Sequence, residues 1–250
     1  MTTGAVIFAR NNEQIDYVAM ARWSAKNIER HLGIPTHIVT DDAPSDNTRH
    51  FTDVGTVTWH NHNRMDAYRL SPWDRTLVLD ADYVVASNQL QSILEVDQDF
   101  LAHRWAYDVT GCNTFEGLNS FGNNCMPMWW ATVMMFRKSK QAELIFDSMQ
   151  MIKDNWTHYR NLYKNSIVTY RNDHALSIAL GIVNGHALDH NSIPWSLASL
   201  TPEHKLKQLS QDCYRIDFVN TENKPRWIEL RQDFHAMGKQ QLGEIVASTC

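Results

Sequence analysis

Short apolar runs alternate along the chain with stretches whose apolar residues recur every three or four positions. "AVIFA", Ala5 to Ala9, predicts a first strand with a polar tip, Arg10-Asn11-Asn12. Val18, Ala21, Ala25, Ile28 and Leu32 then keep a helical period, which Gly33 ends and Pro35 prevents from resuming. "THIVTDD" predicts a second strand ending at Asp41 and Asp42, and "TVTWH" (56–60) a third. A short helix is expected from Arg64 to Leu70, followed by "TLVLDAD", a fourth strand running into Asp80 and Asp82. Strands alternating with helices predict a mostly parallel sheet with helices on both faces.

The pattern changes after residue 106. Residues 107–130 are rich in Asn, Gly and Pro, with little periodicity, and predict a long surface loop. "ATVMMFRKS" predicts another strand, and Ala142, Ile145, Phe146, Met149 and Ile152 mark one face of the helix after it. "NDHALSIALG" predicts a helix capped by Asn172 or Asp173. The last third carries shorter strands, "YRIDFV" and "RWIELR", and then "DFHAMGKQQL", which together predict a smaller mixed β region. No repeat or linker interrupts the chain, so residues 1–250 are expected to form a single domain.

In sheets of this kind ligands bind beyond the carboxyl ends of the strands. Three predicted ends carry polar residues there: Arg10-Asn11, Asp41-Asp42 and Asp80-Asp82. A strand rises about 3.3 Å per residue and alternates its faces, so Asp80 and Asp82 should aim their carboxylates the same way. Two carboxylates that close oppose each other's ionisation unless a cation lies between them. Oxygen ligands at a strand end suit Mg²⁺ or Mn²⁺, with substrate phosphates completing the coordination.

Charge and composition narrow the partners. A net charge of −5 gives no overall attraction to nucleic acid. Lys205, Lys207, Arg215, Lys224, Arg226, Arg231 and Lys239 nevertheless form a locally basic stretch that could face an anionic ligand. Cys112, Cys125, Cys213 and Cys250 have no C-x-x-C spacing, which argues against a zinc site. His60 and His62 read as loop residues near the site, and the tandem Trp129-Trp130 as core. No run approaches the ~18 apolar residues of a membrane span. The N-terminal segment lacks the pattern of a signal peptide. A soluble cytoplasmic protein is expected, which would include a viral protein acting in a host cytoplasm.

With these residues in view, the chain resembles the metal-dependent GT-A glycosyltransferases, most nearly family eight, the glycogenin and galactosyltransferase group. "FARNN" is similar to the family's nucleotide-binding first-strand tip, and Arg64 to its basic residue ahead of the D-x-D. "LVLDADYVV" is a close match to its D-x-D strand, and "FHAMGK" to its late H-x-x-G. The resemblance implies a GT-A-like Rossmann-type fold with a nucleotide-sugar-binding half (1–105) and an acceptor-binding half (106–250). It further implies a metal held by Asp80, Asp82 and His235. The donor would contact Ala9, Arg10, Asn11, Asp41, Arg64, Ala81, Gly238 and Lys239, with Asp173 and Arg64 in catalytic roles. The expected activity is transfer, with retention, from a nucleoside-diphosphate sugar to a hydroxyl of a glycan, small molecule, protein or modified DNA.

Three departures stand out. Trp130-Ala131-Thr132 occupy positions where the family opens Asn-Ser/Ala-Gly. Asp173-His174 stand where it has Asp-Gln. Lys239 follows Gly238 directly, and Gln241 takes the lysine's usual place. Rival readings are a phage-type enzyme acting on hydroxylated DNA bases, a Mg²⁺-dependent phosphohydrolase, a nucleotidyltransferase and a non-catalytic sugar-nucleotide-binding module. Tyr83-Val84 after the D-x-D fits the phosphohydrolase poorly, and "FARNNEQ" lacks the Gly-rich loop of a nucleotidyltransferase.

Overall fold

A computed structural model describes residues 1–40, 49–50, 64–187 and 191–249. The predicted third strand (56–60), Asp41, His60 and His62 lie outside the described residues. The first half runs β1 (Thr3–Phe8), α1 (Tyr17–Leu32), β2 (Thr36–Val39), β3 (Arg49–His50), α2 (Ala67–Leu70), β4 (Arg75–Leu79), β5 (Tyr83–Val84), β6 (Phe100–His103) and β7 (Ala106–Asp108). It continues with β8 (Ser120–Phe121), β9 (Met126–Pro127), β10 (Trp130–Arg137), α3 (Lys140–Asp154), α4 (Trp156–Leu162) and α5 (Asn172–Val183). The last third holds β11 (Leu197–Leu200), β12 (Lys205–Ser210), β13 (Cys213–Val219), β14 (Pro225–Leu230), β15 (Phe234–Ala236) and α6 (Lys239–Thr249).

The central sheet has the order β3-β2-β1-β4-β10-β6. Its β1–β2, β1–β4 and β2–β3 pairings are parallel, and β10 runs antiparallel to both neighbours. The alternation of side chains across the pleat builds two cores at once. Leu77, Leu79, Val133 and Met135 face the core shared with α1 and α6. Val78, Met134 and Phe136, from the same strands, face the core shared with α3 and α5. Each of these fully buried side chains contributes roughly 1.5–3 kcal/mol. Gly4 is required where β1 passes beneath Trp73, because a Cβ there would run into the indole.

Helix α1 begins on Asp16, whose side chain accepts from the Ala19 amide, and ends at Gly33 in the left-handed region at φ 65°. The predicted cap of α5, Asn172 or Asp173, falls one or two residues late: Arg171 is the cap, and Asn172 and Asp173 belong to the first turn. The expected loop at 107–130 contains the end of β7, a 3₁₀ turn at Glu116–Leu118 and the β8–β9 hairpin. Met126, Met128 and Trp129 anchor this segment by burial, which is why it holds structure without periodicity.

A second sheet, β5-β15-β11-β7, sets up the site. β5 starts directly after Asp82, and β15 pairs with it so that His235 lies opposite Tyr83. A backbone bond from Ala236 N–H to Asp82 O, 2.9 Å, locks this register. The strands β12-β13-β14 form a separate antiparallel ribbon.

Candidate active site

A cleft of about 780 Å³ opens where β1, β4, β10, β15 and the start of α5 converge. Among the described residues, Asp80, Asp82 and His235 bring one ligand atom each to within 4.8 Å of one another there. The two carboxylates do not converge as neighbours on one pleat. β4 stops at Leu79, and Asp80 to Tyr83 form a turn closed by Tyr83 N–H donating to Asp80 O at 3.0 Å. The Asp80 amide donates to Thr132 O at 3.0 Å, fixing the turn to β10.

Each acid meets a cation. Arg64 pairs with Asp80, and its Nη1 donates to Ala131 O at 3.2 Å. Burial pulls the Arg64 guanidinium down to about 10, with Asp82 and Asp173 opposing that pull, so it remains charged at neutral pH. Lys239 Nζ lies 2.9 Å from Asp82 Oδ2, and His235 Nε2 lies 3.6 Å from Asp82 Oδ1. Burial would raise the Asp82 carboxyl, but the His235 ring and the Lys239 ammonium outweigh it and hold Asp82 well below the usual carboxylate range. For Lys239 burial acts downward, and the facing Asp82 carboxylate outweighs it, raising the ammonium.

The other expected residues fall into three groups. Ala9, Arg10, Asn11 and Ala81 line the cleft. Asn11 Oδ1 accepts from the Val18 amide at 2.9 Å, tying the strand tip to α1. Asp173 also lines the cleft, its Oδ1 accepting from Ala131 N–H at 2.9 Å and its Oδ2 lying 3.2 Å from Arg171 Nη2. Gly238 is not among the lining residues; its carbonyl accepts from Leu242 N–H at the start of α6. Lys239 reaches the cleft from its shifted position. Gln241 turns away to bond Leu206 N–H at 2.6 Å and His204 O at 2.9 Å.

His174, beside Asp173, is a core residue. It stacks on Trp156, and its Nδ1 meets Asn165 Nδ2 at 2.9 Å. Trp130, Ala131 and Thr132 all line the cleft, and the Trp130 indole nitrogen is buried with no hydrogen-bond partner. Tyr17, Tyr170, Arg171 and Asn172 line it as well and are not expected at the site from sequence, where Asn172 reads only as a helix cap. Of these, only Arg171 and Asn172 carried a signal, their adjacency to Asp173. Most of the basic stretch lies away from the cleft, and four of its cations are paired. Lys207 and Arg215 pair with Asp217, Lys224 with Glu222 and Arg231 with Glu229, and only Lys239 lines the cleft.

The donor set suits a hard divalent ion: two carboxylates and an imidazole gathered in a small volume. His235 turns its Nε2 toward Asp82, so that nitrogen is the one placed to meet an ion between the ring and the acids. None of the helices among the described residues is long and apolar enough to cross a membrane.

No family model matches the chain, and no curated protein matches it. Solved structures do. The chain is similar to the glycosyltransferase GlyE of Streptococcus pneumoniae TIGR4, at 14% identity and a TM-score of 0.52, over 77% of this chain and 46% of that one. It is also similar to the galactosyltransferase LgtC in complex with donor and acceptor sugar analogs, at 16% identity and a TM-score of 0.47, over 72% of this chain and 70% of that one. The chain therefore spans less than half the length of GlyE. What the likeness to GlyE shows is the fold, the mixed α/β architecture of GT-A glycosyltransferases.

Proposed function

We propose that the protein is a metal-dependent glycosyltransferase that moves a sugar from a nucleoside-diphosphate sugar, a UDP-sugar in the first instance, to a hydroxyl acceptor with retention. The convergence of Asp80, Asp82 and His235 beside Arg64 and Lys239 in one cleft carries this reading. Breaking the glycosidic bond leaves growing negative charge on the departing diphosphate. A bound Mn²⁺ or Mg²⁺ supplies Lewis-acid neutralisation of that charge.

The chain's own residues do the rest. Asp80 and Asp82 are the oxygen ligands, and the low position of Asp82 keeps it ionised at neutral pH. Arg64 and Lys239 reach the same space and donate charge-assisted hydrogen bonds to phosphate oxygens. The β1 tip, Ala9 to Asn11, borders the nucleotide. Asp173 is held by Ala131 N–H so that it can orient the acceptor hydroxyl or stabilise positive charge at the anomeric carbon. Lys207, Arg215, Lys224 and Arg231 of the basic stretch pair with neighbouring acids, which gives no support to a nucleic-acid acceptor.

A donor screen tests the proposal. Thermal shift and donor hydrolysis are measured with UDP-, GDP- and other nucleotide sugars, with and without Mn²⁺. The expected result is stabilisation by one nucleotide class that requires the metal, about 2.7 kcal/mol at 100 times Kd. Silence toward every nucleotide sugar with metal present would remove the proposal.

A further inference from the structure

One short segment, residues 235–239, brings two groups to the same carboxylate. His235, on β15, sets its Nε2 3.6 Å from Asp82 Oδ1. Lys239, the first residue of α6, sets its Nζ 2.9 Å from Asp82 Oδ2. Backbone bonds hold the segment in place. Ala236 N–H donates to Asp82 O at 2.9 Å, Met237 N–H to Leu200 O at 2.9 Å, and Leu242 N–H to Gly238 O at 3.3 Å. Gln241, further along α6, is engaged with Leu206 N–H and His204 O, so the α6 side chain that reaches Asp82 is Lys239.

The two acids proposed to hold the metal therefore each carry a protein cation, Arg64 on Asp80 and Lys239 on Asp82. Two charges of each sign cancel, so a divalent ion arriving alone meets neutralised carboxylates and an ammonium that repels it. The two cations differ in freedom. The Arg64 side chain is 12% exposed and is also tied to Ala131 O. The Lys239 side chain is 38% exposed, on a flexible four-carbon stem that can turn its ammonium to a new acceptor. Lys239 lines the cleft, where the phosphate oxygens of a bound diphosphate offer that acceptor.

On the reading that the cleft takes a divalent ion with a nucleoside diphosphate, we infer that Lys239 is a resident counter-cation that competes with the ion for Asp82 and is drawn off by the diphosphate. Its exchange between carboxylate and phosphate couples the two ligands, so that each raises the other's affinity by the same factor. Lys239 thus opposes the ion when nucleotide is absent and supports the complex when both are bound. A lysine that served only as a phosphate contact would leave binding of the ion alone unchanged. One that served only to orient Asp82 would strengthen it.

Mn²⁺ binding is measured by electron paramagnetic resonance, alone and with excess UDP or GDP, in the intact wild-type chain, Lys239→Met and Lys239→Arg, with circular dichroism as the check on folding. In the wild type, one of the two diphosphates should tighten Mn²⁺ at least about tenfold. Lys239→Met keeps the stem and removes the charge. It should bind Mn²⁺ alone at least about fivefold more tightly than wild type, with the enhancement by diphosphate cut at least about tenfold. Lys239→Arg should keep both values within about threefold of wild type. Mn²⁺ binding by Lys239→Met that is equal to or weaker than wild type, loss of coupling in Lys239→Arg, or uncoupled binding in the wild type would overturn the inference and leave the proposed activity standing. Absence of Mn²⁺ binding in the wild type with either diphosphate would overturn both.

Discussion

The cleft and the β12-β13-β14 ribbon are both built from lysines, arginines and aspartates, yet only one is arranged to receive a ligand. On the ribbon, Arg215 and Lys207 share Asp217 across adjacent strands in water, and Arg215 lies over the Trp227 ring at 4.9 Å. Such exposed pairs contribute about 0–1 kcal/mol. In the cleft, Asp80, Asp82, Arg64 and Lys239 arrive from separate parts of the fold, and Asp82 and Arg64 are held largely out of solvent, where losing a partner is costly. Charge becomes a site when distant segments bring it together out of water, and that is a property of topology rather than of local composition.

The largest break in this contrast should come from the two acids proposed to hold the metal. Asp80→Asn or Asp82→Asn should lower kcat/KM for sugar transfer at least about a thousandfold, a loss of roughly 4 kcal/mol of transition-state charge stabilisation. Steady-state assays with the cognate donor read this directly, and retention of wild-type turnover would place the chemistry elsewhere. Arg64→Lys keeps the charge but loses the fork that spans Asp80 and the Ala131 carbonyl. A drop of about a hundredfold is expected, with unchanged thermal stability within about 1 kcal/mol.

Buried groups should also respond to acid where exposed ones do not. Burial depresses His103 and His174 to about 4, with the Trp195 carbonyl opposing the shift at the first and Asp173 opposing it at the second. A group depressed on folding adds stability that is fully present above its unfolded value of about 6.5 and is lost as pH falls from there toward 4. Chemical denaturation should show a slope of about 1.4 kcal/mol per pH unit for each histidine in that window. His174→Gln should remove one such contribution; an unchanged slope would count against a neutral buried ring.

The smallest effects belong to the ribbon and the turn. Lys207→Ala should change stability by no more than about 0.5 kcal/mol and leave transfer unaltered. Gly238→Ala should be close to silent, since its φ is not in the left-handed region and an added Cβ would meet nothing nearer than Gln241 Nε2 at 3.5 Å. A large loss in either variant would erase the distinction between cleft and periphery.

Much of this layout is legible in the chain. The period of Val18 to Leu32 gives α1 and its Gly33 stop, and the run ending at Leu79 gives β4. The direction of β10 is not legible, because an apolar run buried on both faces reads alike in parallel and antiparallel settings. Asp80 and Asp82 are found by their place after a strand, but the turn that joins them depends on the bond to Thr132. His235 and Lys239 carry no local signal of their own. Family resemblance points to them; the β5–β15 register places His235, and the start of α6 places Lys239. Tyr17 and Tyr170 enter the cleft through tertiary packing alone, from the start of α1 and the segment before α5.

Mn²⁺ binding tests the central claim most directly, followed by electron paramagnetic resonance with and without a nucleoside diphosphate, in the wild-type chain and in Asp82→Asn and His235→Ala. One bound ion whose affinity rises with the nucleotide, and which weakens at least tenfold in both variants, is the predicted result. Undiminished binding in both variants, or none in the wild type with nucleotide present, would contradict it.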